Sequence, residues 1–418
     1  MSTTADLTPG GRGPHARSAE ALAAAEPQLA VRSTRGRAVI AGFSLAHFSH
    51  HVTNSILNPL LPLIHDSFAL SYTQSGFAVS AYSLSLGLAN APMGVLADRF
   101  GPRRVLAGGL VVLGLASIAL SQAGAYWQLL LLLIGMGIVS GTYHAPAASL
   151  LARSFPERGR GAAMGFHITG GHFSFFAIPL AAGALAEATG TWRTPYLWLA
   201  LAPIASGIVV WSLAPGAHAK PAARGRMDAL RDLADVARRV GPIVGLSIAF
   251  QVGYAAFIAF LTVYAVDSRG MGIVLASALF SVPNLGGLVG APLGGWLSDR
   301  LGRRRVIALG LAVLGPMVWL FTVTPTALLF VPLIVIGLVS SMRQTVTEVL
   351  VAESATAERR ATTLGAYYLT SAEVGGLAAP VLGGLASAIG IAAAFSWIGA
   401  GLSVLSVVAI VALVTRRL

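Results

Sequence analysis

Apolar residues fall into long runs separated by short polar breaks, and twelve such runs can be marked at 38–64, 75–97, 105–122, 126–152, 162–186, 195–214, 242–266, 272–297, 306–323, 326–352, 362–387 and 391–415. A helix of about 20 apolar residues crosses the hydrocarbon core of a bilayer at 1.5 Å per residue. The pattern predicts an all-α membrane protein of twelve transmembrane helices, and an even number puts both termini on one side. Residues 1–36 are rich in Ala, Gly, Arg, Ser and Pro without an apolar core, and read as a disordered arm. Spans one to six make a first bundle over 37–214, and spans seven to twelve a second over 242–418. The stretch 215–241 between them has Pro and Gly near both ends and a modest apolar stripe, which predicts a linker with a short amphipathic helix on the membrane surface.

Span one does not fit a plain bilayer helix. Residues 44–64, SLAHFSHHVTNSILNPLLPLI, hold His47, His50, His51, Asn54 and Asn58. At about 100° per residue, His47, His51, Asn54 and Asn58 share roughly 60° of arc, and His50 widens it to roughly 100°. Lipid cannot satisfy such groups, so the stripe faces either neighbouring helices or a water-filled cavity. Elsewhere, polarity is concentrated: His144 lies in span four, His167 and His172 in span five, Arg343 and Glu348 in span ten, and Glu373 in span eleven. His144, His172, Arg343 and Glu373 fall near mid-depth. Arg343 and Glu373 are candidates for a neutralising pair, which is either a structural salt bridge or a substrate and proton site. Glu348, five residues from Arg343, points about 140° away and lies nearer the cytoplasmic exit.

Composition supports the membrane assignment, with 418 residues, 55% hydrophobic, 11% charged and mean hydropathy +0.75. The 48 glycines suit close helix approach, and the absence of cysteine excludes disulfides and thiolate metal sites. Net charge is +12, but of 28 Lys and Arg only Arg193 and Arg269 fall in loops of one face and Arg343 lies within a span. The other 25 occupy the opposite face or the N-terminal arm, which marks that face as cytoplasmic. A bacterial inner membrane with both termini cytoplasmic is expected, and the dispersed arginines argue against nucleic acid.

The two bundles repeat. GVLADRFGPRR at 94–104 returns as GWLSDRLGRRR at 295–305, an offset of 201 residues that also carries Gly109 to Gly310, Glu157 and Arg158 to Glu358 and Arg359, Pro179 to Pro380 and Gly183 to Gly384. Parallel repeats rocking about a midplane site are a transporter architecture.

These residues resemble the major facilitator superfamily over the whole chain from residue 38. The resemblance rests on the loop between spans two and three, with Gly94, Asp98, Arg99, Gly101, Arg103 and Arg104, and on its second copy, with Gly295, Asp299, Arg300, Gly302, Arg303 and Arg304. It implies a cytoplasmic latch in which the aspartate pairs with arginines or a neighbouring helix end to hold one conformation shut. His47 after Ser-Leu-Ala and His144 after Tyr143 resemble the fosmidomycin-resistance branch of drug exporters, although Ala145 separates His144 from Pro146 and His51 stands where that branch has an aspartate. AIPLAAG at 177–183 and AAPVLGG at 378–384 resemble, in part, the glycine–proline motif of proton-coupled antiporters.

The resemblance implies that span one lines a central cavity. A carboxylate or imidazole there can load and release a proton. Arg343 cannot deprotonate and offers a fixed positive contact to an anionic group. Tyr143, Phe175, Gln251, Tyr254, Phe257 and Asn284 are candidate walls and hydrogen-bonding partners. No phosphate-binding loop and no nucleophile–base set is readable, so the expectation is a proton-coupled exporter of small organic molecules, monomeric, without cofactor and not an enzyme. An importer of the same fold, a transition-metal exporter built on the histidines and a non-transporting receptor are the alternatives.

Overall fold

The computed structural model describes residues 29–214, 226–354, Thr363, Tyr367 and 374–415. Described residues are almost wholly helical: α1 Thr34–Ser67, α2 Tyr72–Phe100, α3 Pro102–Ser121, α4 Tyr126–Ser140, α5 His144–Ser154, α6 Glu157–Thr189, α7 Arg193–Trp198, α8 Leu201–Leu213, α9 Arg226–Ala259, α10 Leu261–Val263, α11 Ile273–Leu301, α12 Arg303–Val323, α13 Phe330–Ser354, α14 Val374–Ile389 and α15 Ile391–Val414. Among them, nine helices or consecutive helix pairs are long and apolar enough to cross a membrane. The 34-residue α1 and 29-residue α2 also exceed the length of a crossing, but they carry more polar side chains. Of the run expected at 362–387, Thr363, Tyr367 and α14 are described. Glu358, Arg359 and Glu373 lie outside the described residues.

Local chemistry explains where the helices stop. Span four is broken into α4 and α5 at Gly141–Tyr143, because Pro146 lacks an N–H and its ring excludes a helical carbonyl four residues earlier, at Thr142. Gly101 and Gly302 each form a one-residue turn between two helices, at φ 92° and 90°, a region that favours glycine. The glycine of each copy of the repeated loop is thus a backbone requirement. Gly241 and Pro242, expected to separate the linker helix from span seven, do not end α9, which runs unbroken through both.

The N-terminal bundle has two apolar cores. One gathers Val52, Ile56, Leu60, Tyr82, Leu113 and Leu133. The other gathers Val39, Phe43, Ala46, Leu106, Ala147 and Leu150. The histidines of α1 lie between them. A further core, among the described residues from 240 to 409 with Leu61, gathers Phe250, Phe257, Phe260, Phe321 and Phe395.

The halves meet away from the arginine-rich loops. The Tyr72 hydroxyl donates to Asp267 at 2.8 Å, Thr73 bonds Ser387 through its amide and hydroxyl, and the Ser80 hydroxyl donates to the Gly376 carbonyl. Thr262 donates to the Asn58 carbonyl, and Asn284 to the Phe175 carbonyl at 3.2 Å. Added β-carbons at Gly76 and Gly183 would collide with Ala379 and Ser277, so backbones approach closely at this end. The hydrogen bonds described between the halves lie at this end.

Two arginines on the side away from the arginine-rich loops cap helices. Arg193 donates to the Ser121 and Ala123 carbonyls at 3.0 and 2.6 Å, and Arg269 to the Thr322 carbonyl at 2.5 Å. Ser121 and Thr322 are related by the 201-residue offset, so equivalent helix ends are satisfied by cations from different loops.

Candidate functional site

Two polar centres lie at places related by the 201-residue offset, one between α1 and α5 and the other between α9 and α13. In the N-terminal half, α1 supplies His47, His50 and His51, the start of α5 supplies His144 with Tyr143 just before it, and α6 supplies His167. His47 stacks between Tyr143 and His167, with ring centroids 5.4 and 4.2 Å away. His50 stacks on Tyr143 at 4.3 Å and stands edge-on to His144 at 4.9 Å and His51 at 4.7 Å. Gly171 makes room for this, since a β-carbon there would sit 2.6 Å from His47 Cε1.

Hydrogen bonds fix much of the orientation. His47 Nδ1 donates to the His167 carbonyl at 2.8 Å, and His167 Nδ1 donates to the Phe43 carbonyl at 3.0 Å. The ring Nε2 atoms of His47 and His51 are 3.1 Å apart. His50 is 1% exposed, and neither of its ring nitrogens has a partner among the described residues. The Nδ1 of His51 is likewise buried without one.

In the C-terminal half, Arg343 on α13 is 0% exposed. It donates to the Ser247 carbonyl at 3.1 Å, to the Ser247 hydroxyl and to Gln251 Oε1 at 2.7 Å, all on α9. Its Nε has no partner, and no carboxylate pairs with it among the described residues. The offset relates His50 to Gln251 and Thr142 to Arg343. It also holds in the packing: a β-carbon on Gly109 would meet Thr142, and one on Gly310 would meet Arg343.

The structure divides the sequence candidates. His47, His50, His51 and His144 come together. Asn54 and Asn58 are half-buried on the same helix but make none of the ring contacts, and His172 is exposed and makes none either. His167, one and a half turns before His172, occupies the cluster instead. Nothing in residue type separated the two; only the helix register of α6 against α1 does. Ser247, a principal partner of Arg343, carried no signal in the sequence beyond being a small residue in an apolar run. Glu348 accepts from Gln344 at 3.1 Å along α13.

The repeated loops differ in their pairing. Asp98 is exposed and pairs with no cation among the described residues, and a β-carbon on Gly94 would meet only Ala145 at 4.0 Å. Arg103 instead donates to the Trp211 carbonyl and lies over the Trp211 ring, 4.7 Å from its centroid. Arg99 lies over Phe100 at 5.4 Å, and Arg300 over Trp296 at 4.0 Å. In the second copy, Arg303 bridges Asp299 at 2.6 Å and Glu353 at 3.0 Å, tying α11, α12 and α13 together.

Comparison with known proteins gives the same picture. The chain is 26% identical over 264 residues to the multidrug resistance protein MdtG of Escherichia fergusonii, a match covering 60% of this chain and 64% of that relative. It is 24% identical over 281 residues to the probable sulfoacetate transporter SauU of Cupriavidus necator, covering 62% and 64%. The chain thus spans just under two thirds of the length of these relatives. Among solved structures, a bacterial homologue of the human lysosomal transporter Spinster, in an inward-facing and unoccupied conformation, superposes with a TM-score of 0.73 at 17% identity over 90% of this chain and 96% of that one. The family model described as Major Facilitator Superfamily matches residues 43–291 and 273–418, which is nearly the whole chain. With its helical membrane fold and its repeated loops, the chain belongs to the Major Facilitator Superfamily.

Proposed function

We propose that the protein is a secondary active transporter working by alternating access, a proton-coupled exporter of small organic molecules that carry an anionic group. In this reading it is a monomer of two parallel six-helix repeats in a bacterial inner membrane, with both termini in the cytoplasm. The observation that carries the substrate class is Arg343: a permanent cation, fully buried, whose hydrogen bonds among the described residues go to neutral groups. Burying such a charge is costly unless it is paired, and an anionic solute arriving at the site supplies the pair. The name of the Cupriavidus relative, a probable sulfoacetate transporter, fits a small organic anion, and that of the Escherichia relative fits drug export.

Contacts between the halves on the side away from the arginine-rich loops support a state open toward the cytoplasm, from which an exporter loads its substrate. Glu348 and Glu373 are the carboxylates proposed to carry the coupling proton. Purified protein in proteoliposomes under an imposed pH gradient tests the reading. Uphill movement of organic anions that stops when the gradient is collapsed is expected, and gradient-independent flux, or none across a panel of anionic and neutral drugs, would overturn it.

A further inference from the structure

We infer that His50, His51 and His144 form a binding site for a divalent transition metal ion of the zinc, cobalt and nickel class. Each residue offers one ring nitrogen, and the three nitrogens lie within 4.8 Å of one another. In a tetrahedral site with bonds of 2.0–2.1 Å, the ligand nitrogens stand about 3.4 Å apart. Small ring rotations close that gap. The three rings already stand tilted or edge-on to each other, with centroids 4.7, 4.9 and 5.6 Å apart, so their nitrogens can converge without the rings colliding.

A second observation comes from the unpartnered nitrogens. A buried imidazole whose two nitrogens both lack a hydrogen bond is costly to keep, and His50 is such a residue among those described. A metal would take its lone pair. For His51 the hydrogen-bond network selects the nitrogen that is free. The His167 carbonyl can only accept, so His47 carries its proton on Nδ1 and presents a lone pair at Nε2. His51 must then donate from Nε2 to His47, which leaves the His51 lone pair on Nδ1, the buried atom without a partner. His47 is therefore a positioning residue: it holds the ring and the tautomer of a ligand, as outer-sphere acceptors do around metal-binding histidines. His50 is buried, His51 half-buried and His144 exposed, so the site is closed on one side and has an approach on the other. Three imidazoles without thiolate suit this class of ion and leave a fourth position for water or a bound anion.

The inference does not depend on the substrate proposed for Arg343, because it concerns equilibrium binding. The probe is Co²⁺, titrated into full-length untagged protein in detergent and followed by its visible absorption. One saturable equivalent is expected, displaced by Zn²⁺ and lost in His50→Ala and His144→Ala. His47→Phe keeps the stacked ring but removes the acceptor, and should weaken binding by about 10- to 100-fold, with partial recovery in His47→Gln, whose amide oxygen can accept. X-ray absorption of the Zn²⁺ form of the unmodified protein should count three imidazole nitrogens, a readout that needs no variant to fold. Absence of saturable Co²⁺ binding, binding that survives in both alanine variants, or a Zn²⁺ shell with fewer than three imidazoles would overturn the assignment.

Discussion

Replacing Arg343 by methionine separates a binding charge from a structural one. The guanidinium makes three charge-assisted hydrogen bonds, to the Ser247 carbonyl and hydroxyl and to Gln251. At about 1.5–3 kcal/mol each, they contribute about 5–9 kcal/mol. Burying the ion costs several kcal/mol in the opposite direction. The two nearly cancel, and Ser247 keeps its bond to Thr347 at 3.1 Å, so only Gln251 is left short of a partner, at about 1 kcal/mol. Arg343→Met should therefore change stability by no more than about 2–3 kcal/mol. Removing one partner of a buried ion pair costs about 3–5 kcal/mol, so affinity for an anionic substrate should fall by roughly 10²- to 4 × 10³-fold. The assay compares an anionic solute with its neutral ester or amide in binding and proteoliposome flux, alongside the unfolding midpoint in detergent. Equal losses for the charged and the neutral compound, or a variant that no longer folds, would show that Arg343 serves the structure and would refute the argument.

Asp98→Asn should leave folding and insertion intact, since Asp98 is exposed and pairs with no cation among the described residues, but should slow turnover; full turnover in proteoliposomes would reduce the loop to a topology signal. Glu373→Gln should abolish gradient-driven flux while preserving exchange, because the amide mimics the protonated acid, and unchanged uphill transport would remove Glu373 from coupling. Single cysteines at positions 51 and 54 should react with a small aqueous thiol reagent and be protected by substrate, whereas one at Ile56, 0% exposed, should stay unreactive. Positions 47 and 58, at opposite depths, should change reactivity in opposite senses when the conformation is biased. Equal reactivity on both faces of α1 would place the stripe outside any cavity.

Much of this was legible in the sequence because lipid simplifies the reading. Run length alone located most of the helices, and the 201-residue offset, found from Asp98 and Asp299, recurs in space at Gly109 with Thr142 and Gly310 with Arg343. The stripe on α1 was visible from helical periodicity, and His144 from its depth. The choice of His167 over His172 was not legible, because it depends on how α6 is rotated against α1, which Gly170 and Gly171 decide by close contact with Ser44 and His47. The break at Gly141–Tyr143 was signalled by Pro146 but masked by the apolar run around it. Continuation of α9 through Gly241 and Pro242 went against local propensity, which tertiary packing overrides.

Among the described residues, the hydrogen bonds seen between the halves lie toward one end of the molecule, and this sets a condition on the resting equilibrium of any alternating cycle. Opening that end breaks the contacts of Tyr72, Thr73, Ser80, Asn58 and Asn284 with the other half, five sites at about 1 kcal/mol each. Left uncompensated, about 5 kcal/mol would hold the opposite state to roughly one molecule in several thousand, below the 0.1–10% at which a minor conformer is useful. New contacts at the arginine-rich end must return most of that energy. Asp98, solvated here and without a cation among the described residues, is a group whose pairing can differ between the two states, while Arg303, already bound to Asp299 and Glu353, has less left to gain. The two copies of one loop would then weigh unequally on the balance, the first setting how often the molecule turns over and the second how firmly its own half holds together.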